Sequence, residues 1–409
     1  MSKKIIVIGG GAAGMMAAIS ANIQGAEVVL LERNDRLGRK ILATGNGRCN
    51  YTNKNLSIKN YHGENPKFAY SGLSQFNVGS TIDFFEVLGI TPAMGEGGKV
   101  FPLSFQSSSM VDILKHEIEN SKIKLITEAY AETIIKNNNK FKVILKDKRE
   151  FESDKLIIAT GGMALPNSGS DGNGYGLCED MGHTIIDIVP GLVQLHLEGD
   201  HFKRLNGTKF VGRAELYVDG KFLMEDTGDI LFTSYGISGP PILNLSRAAI
   251  YNLNKGRNTE IKVSIIHHMK LEKLYEYLSY RFAIMTKKTV EMALIGFINK
   301  NLIIPLLRDV EIDKNKMASN LSKEEVRALS NILNSWTFRV TGSQPWAHAQ
   351  VTAGGVNTDE VNNKTMESKI VKGIYIVGEL LDVDGDCGGY NLQWAWSSGY
   401  IAGERAALN

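Results

Sequence analysis

Six residues near the start, Gly9-Gly10-Gly11-Ala12-Ala13-Gly14, constrain this chain more than any other feature. They follow Ile5-Ile6-Val7-Ile8, an apolar β-branched run of the kind buried on both faces in a parallel sheet. After them, Met15 to about Gln24 reads as a helix, with small Ala17, Ala18 and Ala21 for close packing and Gly25 to end it. Glu27–Leu31 reads as a second buried strand, closed by Glu32. Strand, G-x-G-x-x-G, helix, strand and acid is the order of a dinucleotide-binding βαβ unit. Gly9 permits the tight turn, Gly11 lets a pyrophosphate reach the backbone, and Gly14 lets the helix lie close on the strand. The free N–H groups at the helix start, around Ala12 and Ala13, favour phosphate. Glu32 is placed to accept hydrogen bonds from an adenosine ribose, and an acid there argues against a 2′-phosphate. A purely structural glycine-rich turn is the alternative, and it would not require this context.

The segment after the acid decides which dinucleotide fits. A plain NAD-binding unit would lead into an ordinary helix. Here Arg33-Asn34-Asp35-Arg36-Leu37-Gly38-Arg39-Lys40 runs on to Thr44-Gly45-Asn46-Gly47-Arg48-Cys49-Asn50, a long polar stretch punctuated by glycine. Gly45 and Gly47 expose backbone N–H groups, while Arg39, Lys40 and Arg48 can neutralise phosphates or a reduced flavin anion. On residue type alone, a solvated surface loop is the plainer alternative. A third piece, Leu156-Ile157-Ile158-Ala159-Thr160-Gly161-Gly162, is a buried strand ending where backbone can pass close to a nucleotide. A fourth runs from Gly373 through Gly378-Glu379 and Asp382 to Gly388-Gly389-Tyr390-Asn391. The helix expected over Gln393–Leu408 would point its N-terminus at a flavin and stabilise negative charge on the pyrimidine part of the ring. These four pieces point to FAD.

With these motifs the sequence resembles the bacterial family of NAD(P)/FAD-dependent oxidoreductases that includes aminoacetone oxidase and the bile-acid Δ4,6-reductase. The matching segments are Gly9–Gly14, Thr44–Asn50, Phe101-Pro102, Ala159–Gly162, Leu231–Pro240, Val351–Val356 and Gly378–Gly399. TGNGRCN and GGYNLQWAWSSG among them are far more specific than the glycine fingerprint. The resemblance implies an α/β fold: a Rossmann-like FAD-binding domain of the two-dinucleotide-binding-domain type, carrying an inserted antiparallel β-barrel and a helical bundle. It also implies noncovalent FAD, with Glu32 on the ribose, Gly11–Gly14 at the pyrophosphate, and Asn46–Asn50 and Gly388–Asn391 near the flavin. Arg33, Gly38 and Ala131 join the residues expected to line the cofactor. The chain departs from the family pattern twice. Cys387 stands where a threonine-like residue is usual, and Gly97-Gly98-Lys99 where an arginine commonly precedes Phe-Pro.

At 409 residues the chain exceeds one ordinary core. The FAD domain is expected to be discontinuous, residues 1–192 and 335–409. Between its parts, residues 193–268 read as an antiparallel β unit and 269–334 as helices. Asp219-Gly220 between Lys209–Val218 and Lys221–Met224 is a two-residue hairpin signal, and Ile261–Ile266 adds a strand. Leu271–Ile284, Val290–Leu302 and Lys323–Trp336 are expected helices, the last opened by a Ser322/Glu325 capping box. Pro240 suits the first turn of a short helix, and Asn137-Asn138-Asn139 a hairpin loop. An insert placed between halves of a cofactor domain is expected to form a pocket wall. Gly169–Gly176 is glycine-rich but wrongly spaced for a second fingerprint, so no dedicated nicotinamide domain is expected and NAD(P)H would bind transiently in the substrate cleft.

Net charge is +2, from 46 basic and 44 acidic residues, which leaves no strong field for a nucleic-acid backbone or an anionic membrane. Small-molecule substrates are therefore the expected partners, in a cytoplasmic protein whose oligomeric state the sequence leaves open. Three scattered cysteines, Cys49, Cys178 and Cys387, form no C-x-x-C, so neither a zinc ribbon nor a redox disulfide is expected. The pair His267-His268 and the triplet Asp382-Asp384-Asp386 resemble metal ligands only superficially; surface exposure and backbone–cofactor contacts are the expected explanation, and no metal is expected. Candidates for proton transfer are Tyr390, Cys387, Cys49 and His348. The plainer expectation for His348 is a hydrogen-bonded structural histidine, and for Cys387 an inert packing group. Three activities fit: an NAD(P)H-fed reductase of a conjugated C=C bond, an amine oxidase releasing peroxide from an aminoacetone-like substrate, or a flavoprotein acting on RNA.

Overall fold

The computed structural model describes residues 2–138 and 140–409. Asn139, in the expected hairpin loop, lies outside the described residues; its flanks are the antiparallel strands Ala131–Asn137 and Lys140–Leu145.

The chain divides into two compact units, residues 1–190 with 349–409, and Gly191–His348. The first is built on a five-stranded parallel sheet in the order Ile374–Ile376, Lys155–Ile158, Lys4–Ile8, Glu27–Leu31 and Lys124–Ile126. The first strand to form in sequence lies in the middle, and its apolar residues Ile5 to Ile8 are all buried, as a run of β-branched residues requires. The helix Ala12–Ile23 follows it and packs along the last helix, Tyr390–Leu408. Their close approach depends on glycine. A Cβ on Gly399 would stand 2.3 Å from the Ala13 carbonyl oxygen, and one on Gly403 2.2 Å from that of Ala17. The small residues read as helix-packing positions therefore mark where two backbones touch. A three-stranded antiparallel sheet, Ala131–Asn137, Lys140–Leu145 and Glu150–Ser153, leads into the Lys155–Ile158 strand.

The second unit is a closed antiparallel barrel with helices. Its strands follow the order Leu195–Leu197, Gly236–Ser238, Lys221–Thr233, Lys209–Val218, Thr259–Ser264 and Trp336–Ser343. Along Lys209–Val218, buried Ala214, Leu216 and Val218 alternate with part-exposed Arg213, Glu215 and Tyr217, the period-2 pattern of a one-sided strand.

Three boundaries differ from the sequence expectation. Trp336 opens a barrel strand instead of returning to the FAD domain, because Trp336, Phe338 and Val340 alternate inward, with Trp336 and Phe338 packed on Phe232 and Phe338 also on Phe202. The return comes at 349. The expected helix Val290–Leu302 is two helices, Val290–Leu294 and Lys300–Asp309, broken at left-handed Gly296 and restarted by the Asn299 side-chain cap. The helix opened by Pro240 is long, Pro240–Asn254. The Ser322/Glu325 capping box is present on Lys323–Asn334.

Candidate cofactor site

The glycine fingerprint turns directly into the helix, which begins at Ala12, earlier than the expected Met15. Two of its glycines answer to the protein itself. A Cβ on Gly14 would lie 1.8 Å from the Gly9 carbonyl oxygen, and one on Gly9 2.5 Å from that of Ala159. Gly11 differs: a Cβ there meets no atom within 4 Å. Nothing in the fold requires glycine at position 11, whereas a diphosphate laid against the first N–H groups of the helix would. The cradle thus fits FAD.

Glu32 is buried and oriented from three sides. Its Oε2 accepts from Gly10 N at 2.7 Å, and its Oε1 from both Asn34 N and Asn34 Nδ2 at 2.7 Å. Burial raises the carboxyl's pKa while these hydrogen bonds oppose the shift. The next side chain, Arg33, lies 4.8 Å over the Tyr130 ring, pairs with Asp171 at 2.6 Å and donates to Gly169 O. Arg33, Tyr130, Ala131, Lys146, Asp171 and Leu177 line an open cleft of about 430 Å³. Gly172 caps the short helix Asn173–Glu179 at this cleft, which accounts for the misplaced glycine-rich run.

The polar stretch after Glu32 is tied down at each step. Gly38 N donates to Gly10 O at 2.9 Å, drawing the stretch onto the fingerprint. Arg39 and Lys40 open a short helix, Arg39–Ala43. Arg39 donates to Asn34 Oδ1, and Lys40 Nζ sits 2.6 Å from Glu379 Oε2, whose partner oxygen also accepts from Thr352 N. Lys40 therefore joins the second and fourth motifs through Glu379. Thr44–Gly47 form a 3₁₀ turn in which Gly45 and Asn46 are left-handed, and exposed Arg48 lies 5.1 Å over the Phe101 ring. Cys49 is fully buried, and desolvation pushes its thiol up to about 12, away from the reactive thiolate.

The motifs expected near the flavin converge through side-chain amides. Asn53 Nδ2 donates to Gly388 O at 2.9 Å and to Gly97 O at 3.2 Å. Asn50 Oδ1 accepts from Val100 N, joining the segment before Phe101-Pro102. Asn391 accepts from Gly385 N and donates to Gly385 O, both at 2.8 Å, closing the 385–391 loop on itself. Left-handed Gly389 starts the helix Tyr390–Leu408 three residues before the expected Gln393. Tyr390 is buried and its phenol is raised by burial, then by Asp386 and Cys387. Thr160, Gly161 and Gly162 leave the Lys155–Ile158 strand as a turn, where Ser170 donates to Gly162 O and Thr352 Oγ1 accepts from Met163 N.

One expectation changes. Asp382 and Asp384 are buried, so surface exposure does not explain them; Asp382 Oδ2 accepts from Glu64 N. Among the described residues no group of three or more His, Cys, Asp or Glu is placed to hold a metal. His348 is exposed on the turn Trp346–His348. Sequence reading also passed over Asn53 as a contact and His62 altogether. The amide's place just beyond TGNGRCN was a usable signal; His62 had none.

Residues 3–405 match the family described as HI0933-like protein Rossmann domain, and the chain belongs to that family. It is 39% identical over 406 residues to the 3-dehydro-bile acid delta(4,6)-reductase of Clostridium scindens, covering 99% of each chain. Over 401 residues it is 32% identical to the ribosomal RNA dihydrouridine synthase of Haemophilus influenzae, covering 97% of this chain and 96% of that one. The crystal structure of 3-ketosteroid delta1-dehydrogenase from Sterolibacterium denitrificans, in complex with 1,4-androstadiene-3,17-dione, aligns over 100% of both chains with a TM-score of 0.50 at 12% identity, a likeness of fold alone. The chain is a flavin-dependent oxidoreductase on a Rossmann-like FAD-binding fold. Among the described residues no helix is long and apolar enough to cross a membrane.

Proposed function

We propose that this member of the HI0933-like family reduces a carbon–carbon double bond conjugated to a carbonyl group, with noncovalently held FAD that is reduced by NAD(P)H. The observation that carries this reading is the full-length 39% identity to a reductase named for 3-dehydro bile acids. The synthase named above supports the same chemistry, because dihydrouridine is uridine whose ring double bond, conjugated to a carbonyl, has been reduced. Two relatives of very different substrate size thus share one electronic demand.

FAD bound here would supply hydride to the double bond. The chain's own share is to hold the diphosphate at Gly11–Gly14, fix the ribose end through Glu32, and give the flavin end a rigid floor through Asn53 and Asn391. The positive end of the Tyr390–Leu408 helix would favour negative charge on a flavin beside it. Noncovalent binding is consistent with Cys49, whose buried thiol resists ionisation and so resists attack on a flavin.

Uridine in RNA is the second reading, favoured by the 32% identical synthase and by charge placement. Basic residues outnumber acidic ones within Gly191–His348, while acidic residues outnumber basic ones in the rest. Stopped-flow absorbance of the anaerobic holoprotein separates the readings. Reduction by NADH or NADPH, then rapid reoxidation by a 3-keto-4-ene steroid, supports the first. Reoxidation by a uridine-containing RNA in a salt-sensitive manner supports the second. Reduction by an amine alone, with peroxide release in air, would overturn both.

A further inference from the structure

We propose that His62, oriented by Asp386, delivers the proton that completes double-bond reduction; this rests on the reductase reading above. The strand Tyr61–His62 pairs antiparallel with Asp384–Gly385, setting His62 opposite Asp384 and Tyr61 opposite Gly385. His62 Nε2 lies 2.7 Å from Asp386 Oδ1, and Asn60 Nδ2 donates to the other carboxylate oxygen at 3.0 Å. Asp386 N also donates to Asn60 O at 2.9 Å. The carboxylate is thus fixed at both oxygens and at its own backbone. With Nε2 turned to Asp386, Nδ1 is the nitrogen that can carry and release a proton, the logic by which an oriented imidazole acts as acid or base.

Position supports the role. Asp386 directly precedes Cys387-Gly388-Gly389, the turn into the Tyr390–Leu408 helix that Asn53 ties to the segment following TGNGRCN. Tyr61 Oη donates to Tyr390 O at 2.9 Å, so the histidine's strand is braced on the first residue of that helix. The His62 and Asp386 side chains are 29% and 22% exposed, open enough to exchange protons with water yet held by the ladder. The ionisable groups around the imidazole are Asp384 on the facing strand, Asp386 directly after that strand, Tyr61 beside the histidine, Glu64 and Asp382 just beyond, and Tyr390 and Cys387 at the helix start.

The reaction balances with one hydride and one proton. FAD, once reduced by NAD(P)H, would supply the hydride that the carbon remote from the carbonyl gains. The π pair shifts toward the carbonyl, and the adjacent carbon forms its new C–H bond as the His62 Nδ1–H bond breaks. The imidazole regains its proton from water. Asp386 is the positioning residue in this scheme.

The test compares wild type with His62→Gln, which keeps an amide donor for Asp386, and with Asp386→Asn. The flavin absorption spectrum of each holoprotein is first titrated between about pH 5 and pH 9, the range in which an imidazole changes charge. A spectral transition present in wild type and missing from His62→Gln is expected, since it places the imidazole at the flavin. Identical titrations overturn the proposal. Next, NAD(P)H-reduced protein is mixed anaerobically with 2-cyclohexen-1-one or a 3-keto-4-ene steroid. Reoxidation is expected to slow at least about 100-fold in His62→Gln and about 10-fold in Asp386→Asn, with partial rescue of the former by added imidazole. Equal rates with unchanged FAD content overturn the proposal. If no enone reoxidises the wild type, the reductase reading fails, and the spectral titration still decides whether His62 lies at the flavin.

Discussion

The two ends of the cofactor site are built in different ways. At the nucleotide end, one stretch of about thirty residues carries strand, turn, helix and acid, and backbone packing sets the geometry: Gly14 against Gly9, Gly9 against Ala159. At the flavin end, segments hundreds of residues apart meet through single side chains. Asn53 reaches Gly388, Thr52 meets Gln393, and the Trp396 indole donates to Tyr51 O at 3.0 Å. A local motif tolerates no side chain where backbones touch. A distributed one depends on amides whose loss strands buried partners. The difference teaches that one end can be broken by adding a methyl group and the other by removing a hydrogen bond.

The largest effect should come from contrasting two glycines three residues apart. Gly14→Ala forces a methyl group into the Gly9 carbonyl, a backbone clash that no rotamer relieves, and is expected to destabilise by about 3 kcal/mol or more. Gly11→Ala meets no protein atom. Its apoprotein should melt with wild type while FAD affinity falls at least about 100-fold, because the methyl group occupies the path of the diphosphate. Calorimetry of apoproteins and fluorescence titration with FAD measure the two. If Gly11→Ala melts as early as Gly14→Ala, the cradle answers to folding and not to a ligand.

A smaller loss is expected at the flavin end from Gln393→Leu. Gln393 is fully buried, and its amide donates to Thr81 Oγ1 at 2.7 Å, Ser397 Oγ at 2.9 Å and Phe76 O at 3.2 Å, while its oxygen pairs with Thr52. Leucine fills the space yet leaves these buried partners unmet, about 2 kcal/mol in denaturant melts. A change within measurement error would mean that the flavin end is held by packing, like the nucleotide end.

The same contrast explains what the sequence made legible. The parallel strand at Ile5–Ile8, the strand Glu27–Leu31 and the Ser322 capping box are local, and each stands where periodicity and cap chemistry place it. Family motifs reached further and marked Thr44–Asn50 and Gly388–Asn391, though not what binds them together. Trp336 read as a helix end and the residues after it as part of the FAD domain, because the partners of Trp336–Ser343, Leu195–Leu197 and Thr259–Ser264, are far off in sequence and only barrel closure pairs them. The break at Gly296 hid inside an apolar run whose spacing suits one helix. His62 sits in a two-residue strand, too short for any period, and its carboxylate lies 324 residues away.

The smallest perturbation concerns the two cysteines of the flavin end. Cys49 lies beneath the TGNGRCN turn, fully buried, its thiol pushed up to about 12 by desolvation. Desolvation therefore holds this thiol in its protonated, unreactive form at pH 8. Cys387 is partly exposed at the rim, between Asp386 and Gly388. Iodoacetamide at pH 8, read by intact-protein and peptide mass spectrometry, should therefore modify Cys387 first and leave Cys49 unlabelled until the fold opens. Cys178, equally buried and also pushed up to about 12, is an internal control that shares the burial but not the site. Bound FAD should slow labelling of Cys387 if the 385–391 loop faces the flavin, and should leave Cys178 as it was. Protection of neither thiol would place the cofactor away from this rim. Rapid labelling of Cys49 in the folded apoprotein would instead show that the distributed end opens without its ligand, which the locally built end should not do.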